Sequence, residues 1–384
     1  MGERRVPFQA LGGVFEEDDI DAALKVMRAA AGPAGDFFPL PEETDFQQAF
    51  ARHEGADFGI ACNSCGTALD LCMSALKIGP GDEVIVPGLT FVATATCAAA
   101  RGAKIVFADV APGTMCLDPG AVERKITGRT RAVIPVHFAG QACDVEAFEA
   151  VSRRHGVPII YDSAHAVSTR WKGEPVGRWG LAGCYSFQSN KNMTTLGEGG
   201  AVVTNDARFA ESVRQGKTFG YVYGPELRVV SVGSNYRLTK VQAAVGLAQL
   251  AKVDRIIAAR RKNFLALIER LRDLEEIRLP SGIDDQHGCH LFIVQLDLEK
   301  LGGTREEFRR RLQDRYGVGT AVHYPAVWDW EVAGTFAFDN SDCPETGRIG
   351  RSVVSLPVFP NSTAEDLDQI AGSIWQVVGE LRKR

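Results

Sequence analysis

No long apolar run interrupts this chain. Nowhere does it reach the roughly 18 to 20 consecutive apolar residues that cross a bilayer. The opening Met1-Gly2-Glu3-Arg4-Arg5-Val6-Pro7 lacks the apolar core of a signal peptide. Val6 also stands where an N-myristoylation start carries Ser or Thr. The expectation is a cytoplasmic protein with no membrane partner. Positive charge is short as well: 43 Lys and Arg against 48 Asp and Glu give a net charge of -5. No basic block is long enough to follow a phosphate backbone, and no helix-turn-helix pattern occurs, which argues against nucleic acid as a partner and against a DNA-binding regulator. The cluster Arg260-Arg261-Lys262 reads as the solvated face of a helix. Repeats and low-complexity segments are missing. Cysteine is present, but the nine are odd in number and scattered beside apolar residues, which suits buried thiols better than a disulfide framework. Cys62 and Cys65 have redox spacing and His287-Gly288-Cys289-His290 has a metal-like look, yet neither has a second half. No metal site is expected.

What is present is alternation. At 384 residues the chain exceeds the size at which one core keeps growing, so more than one domain is expected. Short apolar runs at 58–61, 83–86, 104–107, 132–136, 158–161, 183–187 and 201–204 are separated in places by helical stretches such as 67–77 and 145–155. Such runs predict a mostly parallel seven-stranded sheet buried on both faces. A helical pattern from Thr239 to about Leu274 is longer than a usual globular helix and is expected to break once or to bridge two domains. Beyond it, strands at 291–296 and 318–322 and helices at 305–314 and after Thr363 indicate a smaller α+β domain. The first residues carry helices near 17–30 and 44–53. The division is therefore a helical segment at 1–50 packing on a large α/β domain at 51–250, then a small C-terminal domain at 251–384.

The residues with chemistry fall at predicted strand ends. Lys191 lies on a turn between the strands ending near Phe187 and starting at Ala201, with Gly197-Glu198-Gly199-Gly200 behind it. Either it is a solvated loop lysine or it is a nucleophile whose pKa desolvation has lowered. Asp162 closes the run Ile159-Ile160-Tyr161-Asp162, at the strand edge where open α/β sheets bind ligands. It is either a helix N-cap or a carboxylate that keeps a ring nitrogen protonated and so makes that ring an electron sink. His165 follows on small neighbours. Gly66 and Thr67 open a strong helix former, and they either cap it or present amides to a phosphate. Phe91 is a core residue or a flat surface for an aromatic ring. Asn235 caps its own helix or reaches a neighbouring subunit.

In order along residues 46–360, the segments Gly66-Thr67-Ala68-Leu69, Pro87 with Thr90-Phe91, Asp162 with Ala164-His165-Ala166, Ser186-Phe187 with Lys191, Gly197-Glu198-Gly199-Gly200, Asn235-Tyr236-Arg237-Leu238 with Gln242-Ala243-Ala244, Val322-His323-Tyr324-Pro325 and Leu356-Pro357 resemble the DegT/DnrJ/EryC1/StrS sugar aminotransferases. These are pyridoxal-phosphate enzymes of fold type I. The resemblance implies pyridoxal 5'-phosphate as cofactor, bound covalently by Lys191, which also shuttles a proton. It implies Asp162 at the pyridine nitrogen, His165 near the phenolic oxygen and Phe91 stacked on the ring. Gly66, Thr67 and Ser186 would hold the phosphate, with Asn235 supplied by the partner of a homodimer with shared active sites.

The activity so implied moves an amino group from glutamate or glutamine to a keto sugar, nucleotide-linked forms included, or to a keto-cyclitol, on a route to an aminosugar in a glycan or secondary metabolite. The rival readings are a dehydratase or lyase with the same cofactor, and an enzyme acting on amino acids alone with Arg348 or Arg351 as carboxylate clamp. Relatives that dehydrate sugars carry histidine in place of the lysine, so Lys191 favours transamination. The chain departs from the family at Gln188, at Ala326-Val327-Trp328 and at Phe359, positions where histidine is frequent nearby. Trp328 and Trp330 are read as packing or as stacking surfaces for a sugar, and Tyr221 and Tyr223 fall on a loop near the site.

Overall fold

The computed structural model describes residues 5–33, 35–38, 40–222 and 224–382. All seven expected strands are present, as Phe58–Cys62, Glu83–Pro87, Lys104–Ala108, Thr130–Val133, Ile160–Asp162, Ala182–Ser186 and Gly200–Thr204. They form two ladders. In one, Gly200–Thr204 runs antiparallel between Phe58–Cys62 and Ala182–Ser186, and Ile160–Asp162 pairs parallel with the latter. In the other, Glu83–Pro87 runs parallel between Lys104–Ala108 and Thr130–Val133. Parallel bridges from Val133 to Ile159 and from Val136 to Asp162 join the two. A two-residue strand from far along the chain, Phe338–Asp339, adds a parallel edge beside Lys104–Ala108.

Alternation of side chains across a strand explains why these runs read as continuously apolar. Val84, Val86, Ile105 and Phe107 face one core with Leu69, Ile134 and Val202. Ile85, Val106 and Ala108 face the other, with Val133, Phe148 and Tyr161. Helix Glu42–His53 covers the far end of the sheet, where Phe50 meets Tyr185 and Phe187 edge-on at 5.0 Å between ring centroids. A separate antiparallel sheet pairs Phe292–Leu296 with Val353–Leu356 and with Ile277–Arg278. Its core includes Phe264, Phe308, Ile370 and Ile374 from the helices Val253–Leu271, Arg305–Tyr316 and Ala364–Arg382.

The long helical pattern after Thr239 is two helices, Lys240–Leu250 and Val253–Leu271. Three expectations need correction. The predicted strand at 318–322 is not a ladder, because Val318 bridges Val6 while Ala321 bridges Ser355, so the segment is shared between two partners. The strand expected at 132–136 ends at Val133 because Pro135 has no N–H to give a ladder, and only its carbonyl is used, by the amide of Asp162 at 2.9 Å. Arg260 is not on a solvated face: it is 1% exposed and donates to main-chain carbonyls, although Lys262 beside it is exposed.

Candidate active site

The carboxyl edge of the large sheet gathers the segments that carry chemistry. Because Gly200–Thr204 runs opposite to its neighbours, Gly200 pairs with both Cys62 and Ser186 at that same edge. A Cβ on Gly200 would lie 2.4 Å from the carbonyl carbon of Ser64, so only glycine lets this strand lie against the start of helix Cys65–Ala75. Ser64 caps that helix, its hydroxyl accepting from the amide of Thr67 at 3.1 Å. The Thr67 hydroxyl is spent locally, donating to Asn63 Oδ1 at 2.7 Å. The first amides of a helix have no carbonyl of their own to bond, so those of Cys65 and Gly66 are left for a ligand.

A cavity of about 520 Å³ opens at this edge, and Ser64, Gly66, Phe91, Asp162, His165, Ser186 and Lys191 line it together. The structure thus brings together six of the eight residues singled out from sequence: Gly66, Phe91, Asp162, His165, Ser186 and Lys191. Thr67 lies beside the cavity as part of the helix cap, and Asn235 lines a different cleft with Phe37 and Phe38, its Oδ1 accepting from Arg237 Nε at 3.0 Å. Sequence reasoning assigned no role to Gln188, Asn190, Glu198, His323 and Tyr324, which also line the cavity. Their signal was position, on the Lys191 turn or in the His323-Tyr324 motif. Trp328 packs on Phe107 at 5.2 Å between centroids, and Trp330 is largely exposed. Arg348 and Arg351 line another cleft that shares no residue with this cavity. Tyr221 begins a short hairpin strand, and Tyr223 lies outside the described residues.

Burial sets the electrostatics. It pushes the Lys191 amine down to about 8, against the pull of Cys65, Asp162 and Glu198. Burial also raises the Asp162 carboxyl, while the Thr94 hydroxyl, 2.7 Å away, and the Ala164 amide, at 3.1 Å, favour its charged form. Thr94 gives its proton to Asp162 and so accepts from Thr90 at 2.7 Å, fixing the carboxylate in place. The His165 imidazole is held well below its usual pKa by burial and by Lys191. Its Nδ1 accepts from the Ala139 amide at 3.3 Å, so the neutral ring carries its proton on Nε2, 3.4 Å from the Tyr324 hydroxyl. The result is a neutral-leaning amine, a fixed carboxylate, an imidazole donor and an anion cradle around one space.

The fold is that of the fold type I transferases, as its likeness to solved aminotransferase structures shows. The chain belongs to the DegT/DnrJ/EryC1/StrS aminotransferase family, whose profile matches residues 17–375. It is similar to the spore coat polysaccharide biosynthesis protein SpsC of Bacillus subtilis (strain 168), being 35% identical over 350 residues that cover 88% of this chain and 90% of that protein. Among solved structures it superposes on DesV of S. venezuelae, determined in complex with a ketimine intermediate, with a TM-score of 0.85 and 32% identity over 94% of each chain. It also superposes on Helicobacter pylori PseC, an aminotransferase involved in the biosynthesis of pseudoaminic acid, with a TM-score of 0.90 and 25% identity over 97% of this chain and all (100%) of that one. The protein is an aminotransferase.

Proposed function

We propose that this aminotransferase uses pyridoxal 5'-phosphate to move an amino group from glutamate or glutamine to a keto sugar, nucleotide-linked or a keto-cyclitol, in aminosugar biosynthesis. The observation that carries the reading is the pairing of Lys191 and Asp162 across one cavity with free helix amides at its wall. The cofactor fits that donor set. The amides of Cys65 and Gly66 and the hydroxyl of Ser186 suit its phosphate, Asp162 suits a protonated ring nitrogen, and His165 offers Nε2–H to a phenolic oxygen. Phe91, 53% exposed over the cavity, suits a ring face.

Bound there, the cofactor supplies an electron sink for the carbanion left when an amino acid loses its α-proton. Lys191, neutral in a useful fraction near pH 8, takes and returns that proton at Nζ. Asp162 would hold the positive charge of the ring nitrogen in place, and the buried walls would shield the reacting carbon from water.

Assembly belongs to the same proposal. Phe37, Phe38, Leu227, Val229, Val230 and the 92%-exposed Val232 are exposed apolar side chains of the kind that a second copy of the chain would cover. Asn235 lies among Phe37, Phe38 and Arg237 rather than beside Lys191, which supports its service to the partner's site in a homodimer. The division into 1–50, 51–250 and 251–384, with the helix break at Ala251-Lys252 near its second boundary, and a cytoplasmic location complete the reading.

Glutamate or glutamine added alone to the pyridoxal-phosphate-loaded protein is expected to convert the cofactor to its pyridoxamine form, followed by absorbance. A spectrum unchanged with both donors would overturn the assignment of glutamate or glutamine as the amino donor. Lys191→Met should lower the conversion rate on the order of 10³-fold.

A further inference from the structure

Behind the Lys191 turn lies the N-terminal segment 8–14. The Gly12 amide donates to the Ser189 carbonyl at 2.9 Å. A Cβ on Gly12 would sit 1.9 Å from the Asn190 oxygen and 2.6 Å from that of Lys191, and one on Gly13 would sit 2.5 Å from that of Asn192. Main chain therefore lies directly on main chain, with no side chain between the segment and the turn that presents the amine.

Two buried side chains hold the segment there. Gln249, fully buried, accepts from the Thr194 amide at 3.2 Å and donates through Nε2 to the Val14 carbonyl at 2.8 Å. One amide group thus ties the turn to the segment. Arg260 donates to the Gly12 carbonyl through Nη2 and to the His290 carbonyl at 2.9 Å through Nη1. No carboxylate is bonded to this guanidinium among the described residues, and burial lowers its pKa to about 10. An unpaired buried charge is expensive, so it is kept where carbonyls from separate segments must be held together. The second of those segments also faces the site: the His290 ring lies 4.5 Å from that of His165, and its Nδ1 meets Asn192 Oδ1 at 3.3 Å.

We propose that segment 8–14, clamped by Gln249 and Arg260, is a positioning device for the Lys191 turn: Gly12, Gly13, Gln249 and Arg260 keep the turn pressed against the cavity so that the amine stays desolvated. The proposal rests on Lys191 being the reactive amine. None of these four residues lines the cavity, so they are positioning residues that act through the turn.

The test uses the full-length protein without cofactor. Acetic anhydride in trace amount labels neutral amines, and the Lys191 peptide is quantified by mass spectrometry across pH, with exposed Lys262 as internal reference. In wild type the Lys191 midpoint is expected near 8. Gln249→Leu and Gly12→Ala are each expected to raise it by about one unit, which is about tenfold less neutral amine at pH 7, while the Lys262 profile stays put. Far-UV circular dichroism and Tm identify the folded variants, and Gln249→Leu decides the matter if Gly12→Ala does not fold. If neither folds, Arg260→Lys, which keeps the charge and loses the fork, is read the same way. A folded variant with an unchanged Lys191 midpoint overturns the proposal. A wild-type midpoint at the ordinary lysine value would instead sink the reading of Lys191 as the reactive amine, so the two failures are told apart.

Discussion

Lys191 and Lys252 are both drawn out of water, and the two regions around them treat the amine in opposite ways. At the helix break, Lys252 meets Asp18 at 2.5 Å, Asp19 at 2.7 Å and Glu16 at 3.4 Å. Burial works against its charge there, yet the hydrogen bonds it donates to Asp18 and Asp19 win and raise its pKa. On the sheet edge, Lys191 has Asp162 and Glu198 in the same cavity but no carboxylate within ion-pair distance among the described residues, and burial wins, leaving the amine near 8. The same side chain is held charged or left near neutral according to whether a counterion is supplied. The reactivity proposed for Lys191 rests on withholding one.

The largest expected effect that tests this contrast is at the tether. Lys252→Met keeps the volume and removes the charge, leaving Asp19, fully buried, without its cation. Removing one partner of a buried pair is strongly destabilising. Because Asp18 and Glu16 keep access to water, the expected loss is about 2 kcal/mol, read by denaturant titration, with transamination per folded molecule unchanged. An unaltered unfolding midpoint would mean that the acidic cluster is solvated and that Lys252 is no tether at all.

The reverse sign is expected at the sheet edge. An amine at about 8 in the folded chain and 10.5 when unfolded is protonated more readily by the unfolded state between those values. Stability of the cofactor-free protein should therefore rise with pH from about 8 to about 10.5, and below that window Lys191 costs stability. Lys191→Met removes the cost. At pH 7 it should gain roughly 1 kcal/mol, discounted because the side chain is partly exposed, or about 2 °C in Tm. The gain should fade as pH climbs through the window. Equal Tm values at pH 7 for the variant and wild type would show that the amine is solvated in the free enzyme.

Lys252 and Lys191 are not equally legible in the sequence. Lys191 was found by place, at a turn after a strand end, beside Asp162, His165, Gly66, Phe91 and Ser186 on neighbouring strand ends. A parallel sheet carries such residues to one edge whatever the details of packing. Lys252 carried no sign of its role, because its partners at Glu16, Asp18 and Asp19 come from the other end of the chain. Arg260 was misread for the same reason: its acceptors at residues 12, 289, 290 and 358 are main-chain carbonyls, which no side-chain pattern announces. Thr94, which fixes Asp162, looked like one more small residue in the helix Ala93–Ala99. The strand Phe338–Asp339 is two residues long, too short to show any period. The seven strands of the large sheet are plain because burial on both faces leaves their central residues apolar.

Phe91 tests the cavity side of the contrast from the direction of ligand rather than fold. It is 53% exposed and meets Tyr324 at 5.9 Å between tilted rings, so its side chain supports little of the protein's own packing. An aromatic left open at the mouth of a cavity contributes when another ring arrives. Phe91→Ala should change stability by no more than about 0.5 kcal/mol. Its affinity for pyridoxal 5'-phosphate, measured by fluorescence titration of the cofactor-free protein, should fall about three- to tenfold. As at Lys191, the fold does not depend on the residue: there its removal is expected to raise stability, here to leave it nearly unchanged. A Phe91→Ala protein that unfolds earlier yet binds the cofactor as tightly as wild type would place the ring with Lys252, among the residues that hold the chain together.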